Sequence, residues 1–216
     1  VGGNASEVYL IQEPMAAAIG IGIDVSSDTG HMIVDIGGGT TEIAVIALNG
    51  IVSLKTIRNA GDKQTELIRK WLHDYHQLEI GERTAEDIKK NVGSAIKIHS
   101  EKFNVTGKNV TDGIPKQIKI STDEITKALN SAVVDITEAI KQALDKTPPE
   151  HSIDIMRHGI ILTGGGSLLT GLDIYIRNKT NLPVNVSEDP LLAIVKGTGM
   201  VLDNIEDFNK RGILIN

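Results

Sequence analysis

The chain has 216 residues, a formal net charge of −6, and shares of 40% hydrophobic and 3% aromatic residues. The acidic balance and the scarcity of aromatic rings disfavour a nucleic-acid partner, because phosphate backbones attract basic surfaces and single-stranded bases stack on aromatic side chains. The absence of cysteine excludes disulfide scaffolds, Cys nucleophiles and Cys-ligated metal centres.

The sequence carries neither a membrane span nor a secretory signal. Its longest stretch without polar side chains, residues 15–23, is far shorter than the roughly 20 residues that a spanning helix needs. No charged segment precedes a hydrophobic one, as it would in a signal peptide. The chain also starts at Val1 rather than at a methionine. We therefore expect a cytoplasmic protein, of which this chain is a fragment.

The first third of the chain predicts a strand, a helix and three further strands. Residues 8–11 are apolar and predict a short strand, and Pro14 followed by an alanine run predicts a helix that ends at Gly20. Three strands then follow between residues 31 and 58. A tight glycine loop joins the first two, and Asn49-Gly50, a strong hairpin signal, joins the last two.

The middle of the chain predicts helices around a small sheet. Apolar residues at helical spacing predict a helix over residues 61–75. A second helix is predicted to open at Thr84, with Asp87 in the capping-box position. Residues 100–120 suggest a small sheet.

A second capping box, formed by Ser121 and Glu124, opens a helix that runs to about residue 145 and is stopped by the prolines at 148 and 149. The last third predicts a buried strand over 159–162, a helix over 172–179, a strand over 183–186 and a final helix over 189–205. Strands alternating with helices in this way indicate an α/β fold.

The segment from Asp35 to Thr41 is the strongest local motif. Its three glycines, residues 37–39, allow the backbone to approach a phosphate and to turn its N–H groups inward as an anion-binding nest. Asp35 can hold a hydrated Mg²⁺, and Thr40 and Thr41 supply hydroxyl groups. The alternative is a glycine-rich hairpin turn, and the segment matches no Walker loop.

Two further features fit the same chemistry. The glycines at 164–166 form a second backbone platform, which alone could be a strand-to-helix turn. Glu13 precedes Pro14 at a helix start, where a carboxylate is either favoured by the helix dipole or placed to orient an attacking water. Two glycine loops in one chain favour a nucleotide cleft.

Three segments occur in an order that one superfamily shares: Glu-Pro-Met-Ala-Ala-Ala-Ile-Gly at 13–20, Asp-Ile-Gly-Gly-Gly-Thr-Thr-Glu at 35–42 and Leu-Thr-Gly-Gly-Gly-Ser at 162–167. Together they resemble the actin, heat-shock chaperone and sugar-kinase superfamily of ATPases, and within it the MreB family of bacterial actins. The resemblance covers nearly the whole chain. It implies an α/β, actin-like ATPase (ribonuclease H-like) domain II with a small α+β outer subdomain inserted.

The resemblance also implies a division of the chain and roles for its residues. Residues 1–60 and 151–216 would form the core nucleotide-binding subdomain, and 61–150 the helices with the inserted subdomain. Asp35 would act on Mg²⁺ through water, and Glu13 and Thr41 would be catalytic. The residues expected to contact ATP or ADP are Gly37, Gly38, Gly39, Thr40, Thr41, Glu86, Lys89, Lys90, Gly164, Gly165 and Gly166.

Two departures from the family pattern are visible. Gln12-Glu13-Pro14 stands where many members have Glu-Glu-Pro, and the change spares Glu13. The first phosphate loop of the superfamily, with its Asp-x-Gly start, is not in the sequence. We therefore expect this chain to form one wall of the cleft and to be inactive as an ATPase by itself.

The implied function is that of an ATP-dependent, filament-forming cytoskeletal protein that organises cell shape at the inner face of the membrane. Its implied partners are copies of itself and membrane-associated shape or cell-wall proteins, with any membrane contact made through the missing N-terminal half. The alternatives are an ATPase-domain fragment of a heat-shock-type chaperone, a sugar or acetate kinase, or a protein that only polymerises.

Overall fold

The computed structural model describes residues 7–99 and 101–215, which form two β-sheets covered by helices. The strands are β1 (His31–Ile36), β2 (Thr41–Ala47), β3 (Gly50–Ile57), β4 (Leu78–Glu79), β5 (Lys102–Asn109), β6 (Pro115–Ser121), β7 (Ile160–Thr163) and β8 (Val184–Val186). The helices are α1 (Glu13–Gly20), α2 (Gly61–His76), α3 (Glu82–Val92), α4 (Thr122–Asp145), α5 (Pro149–His158), α6 (Leu172–Thr180), α7 (Ala193–Asp203) and α8 (Ile205–Lys210).

The larger sheet has five strands in the order β3-β2-β1-β7-β8. β1 pairs antiparallel with β2 and parallel with β7, so that Asp35 lies opposite Glu42 on one side and opposite Thr163 on the other. Five of the six residues of β1 are buried, as is typical of a strand covered on both faces. The carboxyl ends of β1 and β7 therefore meet at the same edge of the sheet.

Alternation along the strands sorts their side chains between two hydrophobic clusters. One cluster packs α1 against the face that carries Ile33, Ala44 and Ile46. The other packs α2 and α4 against the face that carries Met32 and Ile43. Residues of odd number in β1 and of even number in β2 thus face α1.

Two glycines allow α1 and α7 to cross at very short distance. A Cβ added at Gly20 would run into the carbonyl oxygen of Ala193, and a Cβ added at Gly197 would run into that of Ala16. Side chains at either position would force the helices apart. This close crossing fixes α1, and therefore the position of Glu13 at its first turn.

The smaller sheet has three strands in the order β4-β5-β6 and lies within the predicted 61–150 segment. The predicted capping box is confirmed at the start of α4: the Glu124 amide donates to Ser121 Oγ at 3.4 Å, and the Ser121 amide donates to Glu124 Oε2 at 2.9 Å. The predicted domain boundaries at residues 60 and 150 stay a prediction, and residues 1–6 lie outside the described part of the chain.

Several predicted boundaries are wrong. Only Leu10 of the predicted strand 8–11 pairs, in a bridge with Ile215. α3 begins at Glu82 with Gly81 as its N-cap, so Thr84 lies inside the helix. The last predicted helix begins at Ala193 and is followed by α8.

Turn chemistry explains two further differences. The β2–β3 hairpin is confirmed, but its two central residues are Leu48 and Asn49, at φ 50° and 61°, rather than Asn49-Gly50. Positive φ at both positions is the signature of a type I′ turn. α4 ends at Asp145, before the two prolines, as predicted, but Pro149 then begins α5, a helix that was not predicted, where a missing N–H costs nothing. Within the described residues, no helix is long and apolar enough to cross a membrane.

Candidate functional site

The two glycine loops lie side by side at the carboxyl ends of β1 and β7. Ligands of open α/β sheets bind at this edge, where neighbouring parallel strands end. Gly164 has φ +78°, and a Cβ added there would lie 2.8 Å from Asp35 Oδ1 and would overlap the Ile36 carbonyl oxygen. The second loop therefore packs directly on the end of β1.

The first loop is a hairpin turn that also exposes backbone donors. Its Gly37 and Gly38 carbonyl oxygens accept hydrogen bonds from the Gly61 and Asp62 amides at 3.0 and 2.8 Å. Among the described residues, no acceptor is bonded to the amides of Gly38, Gly39 or Thr40. The loop is therefore a hairpin turn, and its unbonded N–H groups leave phosphate binding as a prediction.

A cavity of ≈ 580 Å³ separates the glycine loops from α3. Seven of the predicted contact residues line it: Gly37, Gly38, Glu86, Lys89, Lys90, Gly165 and Gly166. Gly39, Thr40, Thr41 and Gly164 do not. Asp62 and Gln64, which sequence reasoning did not single out, line the cavity as well. Neither has a local signal that could have found it, because the approach of α3 and the second loop encloses them in the cavity.

The α3 wall of the cavity is an ion-pair network. Glu86 Oε2 lies 2.6 Å from Lys89 Nζ, and Glu86 Oε1 lies 3.3 Å from Lys90 Nζ. Thr65 Oγ1 lies 2.7 Å from Glu86 Oε2. Burial disfavours the charged form of Glu86, but the hydrogen bonds from Lys89 and Thr65 outweigh it and lower its pKa to about 2. Glu86 is therefore a carboxylate at neutral pH.

Three carboxyl groups gather on the α1 face of the sheet. Asp35 and Glu42 are opposite each other in the β1–β2 register, and Glu13 lies at the first turn of α1. Burial raises the pKa of Asp35 to about 6, with the negative charges of Glu13 and Glu42 adding to the effect. Burial and Glu13 also raise the pKa of Glu42. Sequence reasoning passed over Glu42, although its pairing with Asp35 follows from a four-residue glycine turn.

Thr41 lies on the other face of the sheet. It is fully buried, and its hydroxyl donates a hydrogen bond to the Asn59 carbonyl oxygen at 2.6 Å. The structure does not bring it together with Glu13, so its catalytic role stays a prediction. Thr40, which is partly exposed, is the threonine nearer to the loop amides.

Asp35 is suited to hold a hydrated cation. Its side chain is 3% exposed, and its Oδ1 is buried without a hydrogen-bond partner. Within the described residues, no group of three or more His, Asp or Glu side chains could hold a metal ion alone. Mg²⁺ usually keeps several waters and binds through one or two carboxylates plus substrate phosphates, which fits a single buried aspartate beside a glycine loop with unbonded amides.

The comparisons with known proteins all indicate the same family. A family model described as MreB/Mbl protein matches residues 2–210. The cell shape-determining protein Mbl of Bacillus subtilis (strain 168) is 43% identical over 209 residues, which cover 96% of this chain and 63% of that protein. The cell shape-determining protein MreB of Escherichia coli (strain K12) is 45% identical over 206 residues, which cover 95% and 59%. The chain thus spans less than two thirds of the length of these relatives.

Solved structures agree with the sequence relatives. The crystal structure of MreB5 of Spiroplasma citri bound to ADP matches with a TM-score of 0.88 at 38% identity, over 92% of this chain and 61% of that chain. A MamK double helical filament matches with a TM-score of 0.72 at 25% identity, over 89% of this chain and 58% of that chain.

Proposed function

The chain belongs to the MreB/Mbl family, and from that premise we propose that the whole protein is an ATP-dependent, filament-forming cytoskeletal protein that organises cell shape. Membership confirms the predicted resemblance and the predicted actin-like α/β fold. In this proposal the chain supplies one wall of the nucleotide cleft. The chaperone and kinase alternatives have no relative among the proteins compared above.

The cavity between the glycine loops and α3 is the observation that carries the proposal. The unbonded amide of Gly38, in the cavity wall, suits a phosphate chain, while Glu86 and Lys90 offer a carboxylate and an ammonium group to the nucleoside. Its volume of ≈ 580 Å³ falls within the usual range of ligand sites. ADP and AMPPNP are bound by MreB5 of Spiroplasma citri, whose fold this chain shares.

In this proposal, two carboxyl groups of the α1 face have separate roles, one in metal binding and one in water positioning. Asp35 would hold Mg²⁺ through water, and the metal would neutralise phosphate charge when bound. Glu13, on a helix fixed by the crossing with α7, would orient the water that attacks the terminal phosphate. A group that positions water acts mainly in the transition state, so removing it lowers turnover more than binding.

The relatives favour self-association, since MamK forms a double helical filament. We propose homopolymeric filaments, with membrane-associated shape or cell-wall proteins as further partners at the inner face of the membrane. Membrane contact would be made by the part of the protein that this chain does not include.

Nucleotide binding and turnover by the full-length protein test the proposal. We expect wild type to bind ATP with Mg²⁺ and to sediment as polymer with ATP. Asp35→Ala should weaken Mg²⁺-dependent binding in calorimetry, and Glu13→Ala should bind ATP but turn it over roughly 10²-fold more slowly. Lys141→Met, on the exposed face of α4, is the control. Wild type that binds no nucleotide, or Asp35→Ala with unchanged Mg²⁺ dependence, would contradict the assignment.

A further inference from the structure

Two histidine rings lie against each other where α5 meets the amino end of β1. His31 is the first residue of β1, and His158 is the last residue of α5. Their ring centroids are 5.7 Å apart, with 46° between the ring planes. His31 is partly buried and lies opposite the apolar Ile46 of β2, whereas His158 is exposed. Neutral imidazole rings can make this contact, but two imidazolium ions at this distance would repel each other.

The same end of β1 contacts α5 at two further positions. The amide of Gly30, directly before β1, donates a hydrogen bond to Asp154 Oδ2 at 2.8 Å. The His151 side chain packs on Gly30 so closely that a Cβ added there would lie 2.7 Å from the His151 Cβ. His151 Nδ1 is buried 3.7 Å from Asp154 Oδ2 and has no hydrogen-bond partner among the described residues. The contact between α5 and β1 thus combines histidine rings with a carboxylate that is already hydrogen-bonded.

The groups that face His31 carry charges of both signs. His158 and Asp154 face it from α5, and Asp24 faces it from the loop before β1, where Asp24 is itself influenced by Arg211, directly after α8. Burial lowers the pKa of His31 from its ordinary value of 6.5, and His158 lowers it further, while Asp154 and Asp24 act in the opposite direction. The unfolded chain therefore binds this proton more tightly than the folded state does. The stability that neutral His31 contributes is present above about pH 6.5 and is lost as the pH falls below that value.

We propose that the contact between His31 and His158 is a pH-sensitive latch, which holds α5 on the sheet while both rings are neutral and releases it when both are protonated. The latch goes beyond the proposed function and does not depend on it, because it lies at the edge of the sheet opposite the glycine loops. α5 continues through Gly159, at φ +81°, directly into β7. A Cβ added at Gly159 would overlap the Pro183 carbonyl oxygen, so the chain is tightly packed there. A movement of α5 would therefore reach the amino end of β7.

Hydrogen exchange in the nucleotide-free, full-length protein tests the latch. Mass spectrometry would give the protection of the backbone amides of α5 at pH 7.5 and pH 5.0, corrected for the intrinsic pH dependence of exchange and compared with that of α4. In wild type, the protection of α5 should fall about tenfold at pH 5.0, or by about 1.4 kcal/mol. His31→Phe keeps an aromatic ring that cannot be protonated, so its α5 protection should change less than about twofold. His73→Phe, at an exposed position of α2, is the matched control and should behave as wild type.

Three results would overturn the latch. Equal protection of α5 in wild type at both pH values would show that the helix is not released. His31→Phe with the same loss as wild type would assign the effect to another group. A loss of equal size in α4 would indicate general acid unfolding of the chain. If His31→Phe fails to fold, His158→Phe, at the exposed end of α5, carries the test with the same expectation.

Discussion

The two glycine loops look alike in sequence and use their glycines for opposite reasons. At Gly164 the backbone has φ +78°, and an added Cβ would overlap the Ile36 carbonyl oxygen; at Gly166 it would overlap the Ile36 side chain. At Gly39 nothing lies within 4 Å of an added Cβ, and at Gly38 the nearest atom is an Asp62 carboxylate oxygen at 3.5 Å. The second loop needs glycine to fold, whereas the first has room for a side chain.

The glycines of the second loop are therefore required by packing, and those of the first loop by the phosphate binding that we propose. Close contact of the second loop with Ile36 seals the end of β1 and buries the Asp35 carboxylate. The first loop keeps empty space and unbonded amides at the same edge of the sheet. Space that the protein leaves unfilled beside backbone donors is what an incoming phosphate requires.

The largest expected effect is on folding, at Gly164. Gly164→Ala places a Cβ at positive φ and against the Ile36 backbone, and strain of both kinds should lower the free energy of unfolding by about 3–5 kcal/mol. For a chain of this length we expect the midpoint of thermal unfolding to fall by roughly 10 °C. Gly39→Ala is the matched control and should stay within about 1 kcal/mol of wild type. Equal losses in the two variants would erase the distinction between the loops.

A smaller effect on the free energy of unfolding is expected at Asp35, the carboxylate that the second loop buries. The pKa of Asp35 is raised to about 6, chiefly by burial and then by Glu13 and Glu42, so the folded state holds its proton more tightly than the unfolded chain does. The stability that Asp35 contributes is therefore present below about pH 4 and is lost as the pH rises through about 6. Asp35→Asn should stabilise the nucleotide-free protein by about 2–3 kcal/mol at pH 7.5 and by little at pH 4.

Chemical unfolding of Asp35→Asn and wild type at the two pH values measures this difference. Glu150→Gln, at an exposed position in the first turn of α5, is the control for removing one negative charge. A stabilisation of equal size at both pH values would show that burial of the charge is not its cause. Asp35→Asn should also lose Mg²⁺-dependent ATP binding. The substitution that stabilises the nucleotide-free protein would then also remove its function.

Sequence reasoning located both loops because glycine triplets at strand ends are a local signal. It could not assign their roles, because the partner of Gly164 is Ile36, which the β1–β7 pairing brings next to it from a distant part of the chain. The same limit applies to Thr41 and Glu42. Alternation predicts that they face opposite sides of the sheet, but only the packing of α1 decides which side holds the carboxylates.

The end of α4 was predicted correctly, but α5 was missed because proline has two uses. Pro149 can stop one helix or start the next, and here it starts α5 after a short break at the end of α4. Gln64 was passed over for another reason. Its position in a helix predicts an ordinary surface residue, and only the approach of α3 and the second loop encloses it in the cavity.

The smallest expected effect belongs to the first loop and concerns binding alone. Gly39→Ala should leave the unfolding midpoint close to that of wild type, because its added Cβ meets no atom within 4 Å. The same methyl group would stand where a phosphate approaches the loop amides, so we expect about a tenfold loss in ATP affinity, or about 1.4 kcal/mol. Calorimetric titration of full-length protein measures it, with Gly199→Ala on α7, also without close neighbours, as the control. Wild-type affinity in Gly39→Ala would mean that phosphates do not approach this loop and that its open space has another use.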